Sequence, residues 1–375
     1  MNRTASSTLS RGTSLPVSPA LRALALALPL AMAAISPCSA QTSTWEPMNR
    51  GLKHLLVYTI EVDPVDSLIM FCGTEYGNVY KSTDGGYNWV VKRDGIPSTY
   101  DNELTSAMWL DKVDRNLLYV GFGGRKQKQN LFKSTNRGES WSQIVTPASW
   151  PDGGILHIYR VTGPPSILYC GLGWYSGVWY STNEGATWTQ VLNGNGVQAI
   201  GGHPNSPRNL LAGFSGRKST GCLALTRDGA ATWTAVDTDF HPDGGTGVRA
   251  IAFDPSDPLT ALAGVTGYNS GLYRTTNLGI NWSRLIGEDQ ISEIAVHPRN
   301  PKLIYFSHVY KGVYRSTDGG TTWKLISDGL PVQPNTPAFM RVRIAPGYPV
   351  RVFCVTLKHG IYRLVDEELP EDMFR

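Results

Sequence analysis

The stretch Ser82–Trp89, STDGGYNW, sets a hydroxyl, an acid, two glycines and a tryptophan within eight residues. Such a cluster is either a reactive site or a structural turn, and the rest of the chain decides between them. STNRGESW fills 134–141, STNEGATW 181–188, TRDGAATW 226–233, TTNLGINW 275–282 and STDGGTTW 316–323. The chain thus carries six copies of S/T-x-D/N-x-G-x-x-W, the fourth with Ala230 in the glycine position. A catalytic group is needed once or twice per site, whereas a structural device is needed once per repeat. Three copies have Asn for Asp, which keeps an acceptor but loses the charge that calcium binding or acid–base work requires. The motif therefore reads as a turn. Its Asp or Asn accepts backbone N–H groups, its glycine takes positive φ, and its Trp packs between sheets.

The motif tryptophans, at 89, 141, 188, 233, 282 and 323, recur every 41 to 52 residues. With four short strands per unit, that period is the signature of a propeller blade. After Trp323 one more unit supplies three strand patterns, at 339–346, 350–357 and 360–364, and no motif. Thr44-Trp45 lies one period before Trp89, placed as Thr322-Trp323 would be in a blade. The expected fold is all-β: a single seven-bladed β-propeller over residues 41–366, followed by a tail at 367–375. Its ring is closed by an N-terminal strand joining the C-terminal blade. Closure removes the free sheet edges that invite aggregation.

The first 40 residues read as a separate element. Arg3, Arg11 and Arg22 precede or open a 13-residue apolar run, Ala23–Ile35, and Cys38-Ser39-Ala40 supplies small residues for cleavage after Ala40. This is the pattern of a secretory signal peptide, too short to span a bilayer stably. The expected location is outside the cell or in the periplasm. Cleavage would remove three of the 34 basic residues and none of the 30 acids, leaving a net charge near +1. Nothing in that balance calls for a nucleic-acid partner, and no later run is long enough for a membrane span. Cys72, Cys170 and Cys354 occupy one slot of three different repeats, too far apart in a ring for disulfides, and read as small buried hydrophobes.

The repeated motif resembles the Asp-box, or BNR, repeat, and the chain resembles Asp-box propellers over nearly all of Thr44–Leu364. That group includes sialidases, xyloglucan-active glycoside hydrolases, the sortilin ectodomain and photosystem II assembly factors. The flavour of the repeats is nearest the xyloglucanase-like branch. The resemblance implies that ligands meet the inter-blade loops and the loops joining strands two and three, with the Asp-box turns at the opposite end.

On that implied placement, the candidate ligand-binding residues are Tyr76, Arg125, Trp174, Tyr175, Arg217, Tyr268, Tyr310, Lys311 and His359. Aromatic faces stack on sugar rings, and Arg or Lys meets acidic groups, although the same residues also serve as ordinary loop packing. Pro-Asp-Gly-Gly occurs at 151–154 and again at 242–245, before blades three and five. Asp152 and Asp243 are candidate paired carboxylates for glycosidic-bond cleavage; the alternative reading of PDGG is a plain turn. These features favour blades two to five as the working side. In the first strands His157, Tyr159, Arg160, Arg249, Glu293, Arg341 and Arg343 are expected near the central channel, an arrangement a uronate-directed lyase would use.

Departures from family patterns matter. Sialidases carry Arg-Ile-Pro near their start, whereas Arg343-Ile344-Ala345-Pro346 has an extra residue and lies in the last blade. Xyloglucanase-like enzymes place their acids across a cleft between two propellers, and this chain supplies one. No metal-ligand spacing appears, and no cofactor is expected. The sequence thus favours a secreted or periplasmic propeller that binds a glycan or polysaccharide, with or without hydrolysing it. A protein-interaction or assembly scaffold, with an envelope or extracellular protein as partner, is the alternative.

Overall fold

Seven four-stranded antiparallel sheets run from Glu46 to Asp366 in the computed structural model. It describes residues 43–374 apart from 124–129, 151–153, 164, 174–175, 195, 216–221, 237–245, 288 and 334–338, and the backbone alone at 339 and 340. Within six sheets the strand order follows the chain. In the seventh, the two-residue strand Glu46–Pro47 pairs with Gly360–Asp366, so the N-terminus completes the blade that the C-terminus begins. The first strands are Val57–Val62, Leu104–Leu110, Ile155–Val161, Val197–Gly202, Gly247–Asp254, Ile291–His297 and Phe339–Ala345. They contact one another in a closed ring and wall a central channel. Seven apolar clusters fill the seams between blades, one per seam; Trp45 and Leu364 share one with Tyr305 of blade six. All four described cysteines are buried, and none forms a disulfide with another described residue.

The repeated turn has a hydroxyl at its hub. Ser82 Oγ donates to Asp84 Oδ1 at 2.8 Å and accepts from the Gly86 N–H at 2.9 Å. The same pair of bonds recurs through Ser134, Ser181, Thr226, Thr275 and Ser316. The acid and amide versions differ at the position before Trp. Asp228 and Asp318 accept from the hydroxyls of Thr232 and Thr322 at 2.6 Å, and those donors lower both carboxyl pKa values, Asp228 to about 2. Where Asn stands, its amide donates instead: Asn136 to Ser140 Oγ and Asn183 to Thr187 Oγ1, both at 2.8 Å. Hydroxyls serve both versions because they donate or accept equally well. The motif tryptophans also stitch neighbours together. Trp141 Nε1 donates to Lys92 O of blade one at 3.0 Å, and Trp282 Nε1 to Val236 O of blade four at 3.1 Å.

The glycine position of the motif holds φ between 78° and 92° in all six copies, a region that costs an L-residue roughly 1–2 kcal/mol. Ala230 sits there at φ 78°. Ala230→Gly is therefore expected to stabilise the protein by about 0.5–1 kcal/mol, after the larger unfolded-state entropy of glycine is counted. An upward shift of the urea midpoint checks this; an unchanged or lower midpoint means the fourth turn has adapted to alanine.

Candidate functional site

Alternating strand direction puts the Asp-box turns and the turns after each first strand at one end of the propeller. The inter-blade loops and the strand two–three loops lie at the other. Bonds between segments confirm the sorting: the Gly85 N–H donates to Leu68 O at the first end, and the Glu75 N–H to Leu56 O at the second. The two ends are chemically different.

At the loop end, Tyr76 is 44% exposed and packs its ring on His54, with centroids 4.5 Å apart. Its φ of 61° is a left-handed conformation that turns the side chain outward from the tight loop. Tyr268 is 75% exposed, and its carbonyl accepts from Thr246 Oγ1 at 2.9 Å, which ties the strand two–three loop of blade five to the inter-blade loop before it. In blade six the buried Asp289 carboxylate accepts from Lys311 Nζ at 2.6 Å and lies 3.2 Å from His308 Nε2. His308 Nδ1 accepts the N–H groups of Tyr310 and Lys311, so the neutral ring directs its Nε2–H at Asp289. Burial lowers the His308 pKa, while the bond to Asp289 raises that of Lys311. The chain folds His359 into the blade-seven turn, where its carbonyl accepts from Asn49 Nδ2 at 2.9 Å.

Asp152, Asp243, Arg125, Trp174, Tyr175 and Arg217 lie outside the described residues. The residues beside two of them are described. The Gly173 N–H donates to Gly154 O at 3.1 Å, joining the two loops of blade three within two residues of Trp174 and Asp152 along the chain. Trp150, buried against Trp179 and Trp188, anchors the same segment. The described candidates Tyr76, Tyr268, Tyr310, Lys311 and His359 belong to blades one, five, six and seven.

Between the ends, the channel assembles most of the expected first-strand set. Arg341 Nη1 donates to Glu293 Oε2 at 2.6 Å, Arg343 lies 3.3 Å from both Glu293 and Glu61, and Lys112 Nζ reaches Glu61 at 3.2 Å. Burial opposes the Arg343 charge, but Glu293 and Glu61 outweigh it and raise its pKa above the usual range. His157 lies beside this string. Burial, then Arg341 and Arg343, push its pKa down to about 3. One expectation fails. Arg160 is on the strand face opposite His157 and Tyr159, because successive side chains alternate. It leaves the channel to pair with Asp111 at 2.5 Å and Glu184 at 2.8 Å, between blades two and three. Arg249 is exposed at a bulge between Val248 and Ala250.

That bulge is general, and sequence reading did not anticipate it. Every first strand slips register one or two residues from its loop end, at Tyr58, Ser106, Leu156, Gln198, Arg249, Ser292 and Met340. A bulge bends a strand and re-aims its side chains, so seven of them in register shape the rim of the channel at the loop end. Their residue types share nothing, so no repeat signal marks them.

The depressed His157 pKa has a consequence for stability. Folded, the ring stays neutral where the unfolded ring, near 6.5, would take a proton, so stability is full above about pH 6.5 and declines toward the folded value of about 3. The His157 ring carbon and nitrogen shifts are expected to stay flat from pH 8 to about pH 5. A midpoint near 6.5 in the folded protein contradicts that placement.

A family model for the BNR/Asp-box repeat matches residues 314–325, the sixth copy of the turn whose hydroxyl hub recurs around the ring. The chain is a seven-bladed β-propeller that carries Asp-box turns. This propeller is 24% identical over 351 residues to a xyloglucanase from a Paenibacillus species, covering 79% of this chain and 34% of that protein. It is 26% identical over 231 residues to a probable oligoxyloglucan-reducing end-specific xyloglucanase of Neosartorya fischeri, covering 60% of this chain and 23% of the relative. The propeller thus spans about a third or less of these curated relatives. Among solved structures, a GH74 enzyme of Niastella koreensis matches with a TM-score of 0.68 at 21% identity, over 86% of this chain and 53% of the other. YCF48 from Cyanidioschyzon merolae matches with a TM-score of 0.63 at 19% identity, over 86% of this chain and 99% of the other.

Proposed function

We propose that this propeller is exported after cleavage near Ala40 and binds a polysaccharide of the xyloglucan class on its loop end. The observation that carries the reading is that its matches to proteins named as xyloglucanases run through most of this chain rather than through a single repeat. The exposed rings of Tyr76 and Tyr268 and the cation of Lys311 supply the stacking faces and the hydrogen-bond donor such a ligand needs. Asp152 and Asp243 are the candidate acids for hydrolysis, one protonating the leaving oxygen and the other activating water, which requires carboxyls about 6.5–9.5 Å apart. Tyr76→Ala and Tyr268→Ala are each expected to weaken retention in xyloglucan-containing gels by roughly 3- to 10-fold, the worth of one aromatic contact. Retention unchanged in both variants refutes the loop end as the binding surface. Release of reducing ends that disappears in Asp152→Asn or Asp243→Asn makes the protein a hydrolase. Retention without release makes it a binding module.

A second reading has its own support. The match to YCF48 extends over 99% of that chain, and a further matching structure is titled YCF48 bound to D1 peptide. On this reading the loop end or the opposite end holds a protein segment. Capture of one stoichiometric envelope protein, insensitive to added polysaccharide, favours it.

A further inference from the structure

The channel widens toward the Asp-box end, away from the loop end. There it forms a cavity of about 530 Å³, reached past Pro64, Lys112, Pro298 and Pro346, which follow the first strands of four blades. That volume is in the range of small-ligand sites, about 300–1,000 Å³. A smaller cavity of about 40 Å³ adjoins it toward Thr59, Leu156 and Arg341, sharing Glu61, Trp109, His157 and Arg343 with the larger one. The larger cavity thus has a mouth at the Asp-box end, and its lining differs from the loop-end residues Tyr76, Tyr268 and Lys311.

We propose that this pocket binds a small monocarboxylate carried on a six-membered ring. The charges are the first reason. The string Lys112–Glu61–Arg343–Glu293–Arg341 holds three cations against two carboxylates, and the two Arg343 contacts at 3.3 Å are long for charge-assisted bonds. One added carboxylate balances the string and gives Arg343 and Lys112 a further acceptor. The wall is the second reason. Opposite the charges stand Ile251 and Phe253 of blade five and Ile200 of blade four, while Trp109 and Tyr159 pack ring on ring with centroids 4.9 Å apart. An apolar wall with a few convergent polar groups is the make-up of a ligand pocket. The third reason is unmet hydrogen bonding. Trp109 Nε1 and His157 Nδ1 are buried without a hydrogen-bond partner among the described residues, and an indole N–H can only donate. Unpaired buried polar atoms in a native protein call for an explanation, and an anionic acceptor in this pocket supplies one.

The test is calorimetric titration of the chain from Gln41 with benzoate, glucuronate and glucose. The three probes separate an apolar ring acid, a sugar acid and a neutral sugar of matching size. At least one carboxylate is expected to bind with Kd in the range of about 0.1–1 mM, with glucose at least 10-fold weaker. Lys112 is half exposed, so Lys112→Gln can be made without risk to the fold; it is expected to weaken binding about 3- to 10-fold. Trp109→Leu and Arg343→Gln should abolish binding, and Tyr268→Ala, at the other end, should leave it unchanged. Benzoate alone or glucuronate alone assigns the ring type within the class. Equal binding of glucose, no binding of either acid at about 10 mM, or a wild-type response in Lys112→Gln overturns the proposal. Loss of binding in Tyr268→Ala with retention in Trp109→Leu moves the site to the loop end. Because the polysaccharide gels read the loop end separately, either reading can fail alone.

Discussion

Trp45→Ala is expected to lower unfolding free energy by about 3–5 kcal/mol, as large core truncations do. Trp45 is 2% exposed although the strand after it, Glu46–Pro47, is only two residues long. Its indole packs against Tyr305, Val313 and Leu364, and its Nε1 donates to the Ile326 carbonyl of blade six. The backbone N–H of Trp45 donates to Asp328 O, and that of Met48 to Ile361 O. Asn49 exchanges two bonds with blade seven, to His359 O and from the Ile361 N–H. Trp45 is the largest buried side chain of this short segment, and it takes the place of a seventh motif tryptophan. Urea unfolding should show a much lower midpoint for Trp45→Ala, together with earlier proteolysis at both ends of the chain. A loss below about 1 kcal/mol would mean the ring closes without it.

The same seam supplies the second large effect. Asp366 is fully buried and accepts from Tyr305 Oη at 2.6 Å and from Arg315 at 2.5 Å, both in blade six. Arg315 in turn reaches Glu368 at 2.7 Å, and Lys324 reaches Glu368 from the surface. Asp366→Ala leaves the Tyr305 hydroxyl without that acceptor and Arg315, 9% exposed, with half its pairing. Removing one partner of a buried pair costs about 3–5 kcal/mol, because the other charge stays buried. Asp366→Asn keeps an acceptor for Tyr305 and should cost less. Chemical unfolding of both variants checks the order; equal losses would mean that packing rather than charge sets the effect.

The repeated turns, the seven blades and the closing strand were all legible in the sequence, because each depends on residues that recur at a fixed period. Ala230 and the missing seventh motif were visible as departures from that period. What joins the blades was not legible. Arg137 reaches Asp63 at 2.5 Å and Arg160 reaches Asp111 across gaps of 74 and 49 residues; the two acids share the slot after a first strand, but the two arginines come from different slots. Arg160 was expected in the channel because its neighbours His157 and Tyr159 are there, and strand alternation sends it to the other face. The channel charges were found as a group but not as a string, since Glu61 and Lys112 come from blades whose first strands looked unremarkable. At the loop end, the exposed Tyr76 and Tyr268 stand where the loop reading put them, while Asp289 with His308 was missed: its partner Lys311 was noticed, but the acid lies in a different loop.

Polysaccharide binding is tested most directly by running the chain from Gln41 through native gels containing xyloglucan and, in parallel, other plant and bacterial polysaccharides, with reducing ends assayed in solution. The account predicts retardation by xyloglucan that Tyr268→Ala reduces and Trp109→Leu does not. Equal mobility in every gel, beside stoichiometric capture of one envelope protein, would contradict it and make the propeller a protein scaffold.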